Sequence, residues 1–142
     1  MTPSQKKLER NFWRNGLKPR LEAIPGMFYD RIETGSTASS VPDVAYTYNG
    51  HHGWIELKAV ESKDGSVDLS HYTPGQRRWL FNRGEAAGYC WLMIRVDSIV
   101  YVVHWSNVRN IPTGVMTIKA LKEQSMFVWS GGVSTKDIKA HF

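Results

Sequence analysis

The sequence predicts an α/β fold, a mixed β-sheet flanked by helices, from three observations. Residues 41–48 and 54–60 are apolar, β-branched and aromatic stretches joined through Asn49-Gly50, the pair that most favours a two-residue hairpin turn. Thr73-Pro74-Gly75-Gln76 supplies an N-cap, a proline at the first helical position and a glutamine three residues after the cap, so it opens a helix that Gly88 ends. Residues 89–96 return as a third strand. Strand, helix and strand in that order form a right-handed crossover, which sets the two strands parallel.

The remaining elements follow in order. Thr2, Pro3 and Gln5 repeat the cap, proline and glutamine pattern and predict a helix to about Asn15, with Gly16 ending it. Leu8, Phe12 and Trp13 form its apolar stripe, and Glu9 precedes the two aromatics by three and four residues, so a carboxylate borders the face that meets the core. Residues 19–24 form a second short helical stretch that stops at Pro25-Gly26, and residues 34–40, small and polar, form a loop. After the third strand, Asp97-Ser98 turns into a fourth over residues 99–104. Beyond Asn107 the pattern weakens to a helix over 115–123 and an apolar run over 126–129.

With 142 residues, 42% apolar and 22% charged, the chain has the size of a single domain, residues 1–142, with room for a core. Its apolar runs fall far short of the roughly 20 residues that cross a bilayer, and the charged start of the chain predicts a cytoplasmic protein. One cysteine, Cys90, excludes an internal disulfide and a thiolate zinc cage. Neither a phosphate-cradling GxxxxGK, a dinucleotide-binding GxGxxG nor a GxSxG nucleophile elbow is present. The net charge of +5 is unevenly placed: Lys6, Lys7, Arg10, Arg14, Lys18 and Arg20 stand against Glu9 alone, leaving twelve bases and twelve acids elsewhere. Such an end attracts a polyanion, and Lys6, Lys7, Arg10 and Arg14 are the expected phosphate contacts, although a solvated helix face carries the same charges.

A two-residue turn at Asn49-Gly50 pairs Tyr48 with His51, and counting back sets Asp43 opposite Glu56. Strand alternation adds Lys58 to that face and puts Ile55 and Leu57 on the other. Directly opposed like charges destabilise a sheet. A divalent cation would compensate them, since Mg²⁺ takes one or two carboxylates with waters and phosphate oxygens. An ordinary ion pair of Lys58 with Asp43 or Glu56 accounts for the same residues, and the protein would then be a non-catalytic nucleic-acid-binding module. A histidine-metal nuclease has less behind it: His51 and His52 are adjacent at the turn and point apart, and His71, His104 and His141 are scattered. Trp54, Trp79, Trp91, Trp105 and Trp129 fit core or interface packing better than base stacking.

Val41-Pro42-Asp43-Val44, Trp54-Ile55-Glu56-Leu57-Lys58, Thr73-Pro74-Gly75-Gln76-Arg77-Arg78-Trp79 and Ala86-Ala87-Gly88-Tyr89, in that order, resemble the PD-(D/E)xK nuclease superfamily. Within it they are most similar to the VRR-NUC branch, which is akin to Holliday-junction resolvases and frequent in phage genomes. The resemblance covers about two-thirds of the chain and is far more specific in combination than ExK alone. It implies a restriction-endonuclease-like αβββαβ core and an Mg²⁺-dependent endodeoxyribonuclease in which Mn²⁺ can substitute. Asp43 and Glu56 would be metal ligands with the Leu57 carbonyl, Lys58 the catalytic lysine, and Glu9 the acidic residue of the first helix, completing the metal shell. Gln76 matches a family position near the active site and equally forms a capping box with Thr73. The implied partner is DNA, branched DNA above all, cut by a homodimer in the cytoplasm of a bacterial or phage-infected cell. Residues 62–72 form a longer, acidic connection than short members of the family are expected to have.

Overall fold

The computed structural model describes residues 2–32 and 40–142. The loop expected over 34–40 lies, except for Ser40, outside the described residues.

Helix α1 (Pro3–Asn11) begins as its cap predicts: Thr2 Oγ1 accepts the Gln5 N–H at 3.2 Å, and Gln5 Oε1 accepts the Thr2 N–H at 2.8 Å. Gly16 does not end it. The chain passes through a π-helical segment, Phe12–Leu17, directly into α2 (Lys18–Glu22). Bonding from i to i+5 brings residues five apart onto one face, which lets Phe12, Trp13 and Leu17 all be buried, and Leu21 continues that face. Burial of the two leucines outweighs the stop signal of the glycine.

Strand β1 (Phe28–Arg31) follows, an element the sequence pattern did not announce. It lies at one edge of the sheet, antiparallel to β2 (Val44–Tyr48). The hairpin from β2 to β3 (His51–Val60) has the expected register, from Tyr48↔His51 to Val44↔Ile55. Asn49 and Gly50 have φ of 52° and 80°, as a type I′ turn requires. Tyr46 crosses over Gly53, where a Cβ would run into its ring. Residues 41–43, expected in the strand, precede it. The Asp43 carbonyl accepts the Ile32 N–H at 2.7 Å instead, and Pro42 has no N–H to continue the ladder.

Beyond β3 come β4 (Ser66–Asp68), α3 (Pro74–Ala87), β5 (Cys90–Val96) and β6 (Ile99–His104). As the crossover predicts, β5 runs parallel to β3, and Gly88 ends α3 with a φ of 83°. A 3₁₀ helix (Trp105–Asn110) leads to β7 (Val115–Thr117), α4 (Ile118–Gln124), β8 (Phe127–Trp129) and α5 (Thr135–His141). The helix expected from residue 115 therefore starts three residues later, because Val115–Thr117 pairs with β4 and Thr117 caps the helix.

The six-stranded mixed sheet has the order β1-β2-β3-β5-β6-β8. One face packs Leu17, Ile55, Leu57 and Trp91 with Phe142, and the other Tyr72, Leu80, Leu92 and Val103 with Leu121. Tyr101, Val102 and Val103 belong to this core. Cys90 is buried, which pushes its thiol up to about 12. No helix among the described residues is long and apolar enough to cross a membrane.

Candidate active site

Central strand β3 carries Glu56 and Lys58, the charged residues buried among the described ones, at 2% and 4% exposure. Asp43 stands just before β2, where the next step of the β2–β3 register would set it opposite Glu56. Its carboxylate is held on both sides: Oδ2 accepts the Leu57 N–H at 2.7 Å, and Oδ1 lies 3.1 Å from Arg31 Nη1. The same Nη1 donates to the Asp43 carbonyl at 2.9 Å. Arg31 sits on the strand that the sequence did not announce, which is why it escaped notice.

A second consequence follows from Pro42. Carried two residues further, the register would set Pro42 opposite Leu57, and a proline has no N–H for the Leu57 carbonyl. The N–H and C=O of one strand residue face the same neighbour, so this carbonyl points toward the side where Asp43 already holds the Leu57 N–H.

Lys58 Nζ lies 3.4 Å from Glu56 Oε2 and 4.0 Å from Glu9 Oε1, and donates to the His71 carbonyl at 3.3 Å. Helix α1 thus brings Glu9 to the cluster through the lysine. Burial first, then the Asp43 charge, pushes the Glu56 carboxyl well above the usual carboxylate range, against the pull of Lys58. Burial likewise raises Glu9 to about 7.

His71, set aside in the sequence as scattered, belongs to this cluster. Its Nε2 is 3.6 Å from Glu9 Oε1, but burial and then the Lys58 charge lower its pKa to about 4, so the contact joins a neutral imidazole to the acid and is no ion pair at neutral pH. Neither ring nitrogen of His71, nor Glu9 Oε1, has a hydrogen-bond partner. Gln76 caps α3: its Oε1 accepts the Thr73 N–H at 3.0 Å, and its own N–H donates to Thr73 Oγ1 at 3.1 Å.

Lys6, Arg10 and Arg14 join Lys18, Arg31, Trp13 and Tyr29 around a cleft of about 570 Å³ that Glu9 also lines. Lys7 is exposed on α1 away from it. His51 stacks on Tyr89 with ring centroids 4.2 Å apart, and His52 Nδ1 bonds Thr47 Oγ1 at 3.0 Å. His52 thus bonds across the hairpin, and His51 joins it to Tyr89 and to the Phe142 carbonyl.

The donor set suits a hard cation. Two carboxylates and a carbonyl are all oxygen ligands, and each carboxylate oxygen keeps a lone pair beyond the bonds described. Among the described residues no group of three or more His, Cys, Asp or Glu side chains is placed to hold a metal ion, so any cation here would rest on two carboxylates, a backbone carbonyl and waters. An open set of this kind fits Mg²⁺, which retains several waters, better than structural zinc.

No sequence-family profile matches the chain, and no curated protein matches it in sequence. Among solved structures it is similar to Hjc, a Holliday junction resolvase from the archaeal hyperthermophile Archaeoglobus fulgidus, with a TM-score of 0.54. The match covers 94% of this chain and 98% of that one at 11% identity. The chain has a resolvase-like fold. In this restriction-endonuclease-like arrangement, α1, β1, β2, β3, α3 and β5 form the αβββαβ succession, with β1 supplying the third strand before the helix.

Proposed function

We propose that the protein is a metal-dependent DNA endonuclease of the PD-(D/E)xK type, acting on branched DNA. The observation that carries this reading is the buried Lys58 ammonium, 3.4 Å from Glu56 on its own strand and beside an Asp43 fixed by the β3 backbone. An ion pair serving stability alone satisfies its polar atoms. This cluster leaves Glu9 Oε1 and both His71 ring nitrogens without hydrogen-bond partners and raises the Glu56 carboxyl well above its ordinary range.

Asp43, Glu56 and the Leu57 carbonyl would hold Mg²⁺, or Mn²⁺ in its place, which supplies Lewis-acid polarisation of the scissile phosphate and lowers the pKa of a bound water. Lys58 places a fixed positive charge where the phosphate gains negative charge in the transition state. Glu9 and the His71 carbonyl hold the Lys58 Nζ in position, and Arg31 does the same for Asp43. The choice of branched DNA rests on the resolvase named as the structural neighbour, and the VRR-NUC placement on the sequence motifs. A symmetric homodimer would put two sites on a four-way junction.

The test is cleavage of end-labelled four-way junction, flap, duplex and single-stranded DNA with Mg²⁺ and with Mn²⁺. The junction is expected to be cut in preference, and Asp43→Asn to abolish cutting. Equal cleavage of duplex and junction would overturn the branched preference, and full activity of Asp43→Asn the catalytic assignment.

The α1 cleft makes a separate prediction. Changing Lys6, Arg10 and Arg14 together to Gln should flatten the salt dependence of DNA binding by about 0.9 log units for each phosphate no longer neutralised. Changing Lys7 alone should do less, since it lies off the cleft. An unaltered slope in the triple variant would place the DNA elsewhere.

A further inference from the structure

We propose that a second cleft, beside the N-terminal half of α3, binds the phosphodiester backbone of a DNA segment adjoining the one held at α1. This rests on the nuclease reading above and adds a surface to it. Pro74, Arg77, Arg78, Phe81 and Asn82 of α3, with Arg109 of the 3₁₀ helix, line a cleft of about 310 Å³. Residues 74, 77, 78, 81 and 82 recur at three- and four-residue spacings, which puts them on one helix face.

The packing of the 3₁₀ helix on α3 brings Arg109 to that face. Gly84 makes the close approach possible, since a Cβ there would collide with the Trp105 side chain. The Tyr72 hydroxyl donates to the Val108 carbonyl at 3.2 Å, and Arg77 Nη1 to the Ile111 carbonyl at 3.3 Å. These bonds fasten both ends of the segment that carries Arg109. The Arg109 guanidinium carbon lies 3.6 Å from the centroid of the Phe81 ring. Stacking covers one face of a guanidinium and leaves its N–H edge for hydrogen bonds, the edge that matches a pair of phosphate oxygens.

Charge supports the same occupant. Outside residues 1–20 the chain is balanced in bases and acids, so this patch arises by segregation in space rather than by composition. Among the described residues no Asp or Glu forms an ion pair with Arg77, Arg78 or Arg109, and the single acid of α3, Glu85, does not line the cleft. Residues 74 to 82 span about 12 Å along a helix at 1.5 Å per residue, a length suited to consecutive phosphates rather than to one small anion.

The chain links this cleft to the catalytic cluster through a short connection. The His71 carbonyl holds Lys58 Nζ, and Pro74 follows three residues later, which places its Cα within about 11 Å of that of His71. DNA covers that distance in about three base steps. Glu9 lines the α1 cleft directly. DNA whose scissile phosphate sits at Lys58 therefore has basic surface within reach at α1 and again at α3.

The experiment measures binding of a labelled four-way junction by the metal-free full chain across a salt series. Arg78→Gln with Arg109→Gln should lower the slope of log K against log[salt] by about 1.8, two phosphates at about 0.9 each. At about 0.1 M salt the affinity should fall at least tenfold. Arg78→Lys with Arg109→Lys should keep the slope, since the charge is retained. Arg78→Gln alone, at an exposed side chain with no stacked ring, should give half the change and covers the case in which removal of the Arg109–Phe81 stacking unsettles the fold. Wild-type slope and affinity in a folded double Gln variant would overturn the proposal. Absence of cleavage by the wild type with Mg²⁺ or Mn²⁺ would defeat the nuclease reading separately, because the binding measurement uses no metal.

Discussion

Lys58→Met is expected to slow single-turnover cleavage at saturating DNA by about 10³-fold, while the metal-free Kd for the same DNA stays within about threefold of wild type. The two numbers separate because of where the ammonium sits. Its side chain is 5% exposed, enclosed by Glu56, Glu9 and the His71 carbonyl. On the nuclease reading, the arginines and lysines that would meet incoming DNA line the cleft at α1. A charge so enclosed contributes little to the long-range attraction that governs ground-state affinity. On the nuclease reading it would act where the reacting phosphate gains charge, in a site screened from water, and a preorganised group aimed there typically supplies a factor of about 10² to 10³. Met keeps the length and apolar stem of the side chain, so the packing on the Glu56 and Lys58 face of β3 is retained. Rapid-quench measurement of the single-turnover rate, with binding measured separately, decides the matter. An unchanged rate would remove Lys58 from the chemistry, and a rate loss matched by an equal affinity loss would make it a binding residue.

The parts of this site that could be read from the sequence are those governed by short-range rules. Asn49-Gly50 admits one tight turn, and that turn sets the register that faces Asp43 toward Glu56 and puts Lys58 beside it. Thr73 and Gln76 likewise announce α3 through a cap whose bonds are all local. The misses come from tertiary effects. Phe-Tyr-Asp-Arg at residues 28–31 has no apolar alternation, and Phe28 is exposed, so β1 exists because β2 offers it an edge. Arg31 went unseen with that strand. His71 lies in the connection between β4 and α3, and only the closing of that connection over Lys58 shows its place. Gly16 carries a helix stop that the burial of Leu17 and Leu21 overrides. The linear charge count found the basic N-terminal end but could not show that Arg77, Arg78 and Arg109 meet, because residues about thirty apart in sequence are joined by the packing of the 3₁₀ helix on α3.

Glu9→Gln is expected to stabilise the metal-free protein by about 3 kcal/mol at pH 8 and by almost nothing at pH 4.5. In the unfolded chain this carboxyl ionises near its ordinary value of 4.5, whereas in the fold burial keeps it protonated to about 7. Between those two values the folded state binds more protons than the unfolded one, so stability falls as pH rises and stays low above pH 7. The interval converts to about 3 kcal/mol at about 1.4 kcal/mol per pH unit, and the side chain is only 14% exposed, which limits screening by solvent. Glutamine resembles the protonated acid and carries no such penalty. His71 works in the opposite direction: its pKa falls from 6.5 to about 4, so the unfolded state binds more protons in that range and stability rises with pH. The two contributions largely cancel from pH 4.5 to 6.5, and replacing Glu9 should expose the rising histidine limb. Glu56, raised by burial and by Asp43, adds a loss in the same direction as Glu9, which is why Glu56→Gln should also stabilise the metal-free protein at high pH. Asp43→Asn should not, because it weakens the bonds to the Leu57 N–H and to Arg31. Urea unfolding in EDTA at intervals from pH 4.5 to 8 measures these differences. A stability difference between wild type and Glu9→Gln that stays constant across that range would show that Glu9 ionises as in water and is not enclosed against Lys58 and His71.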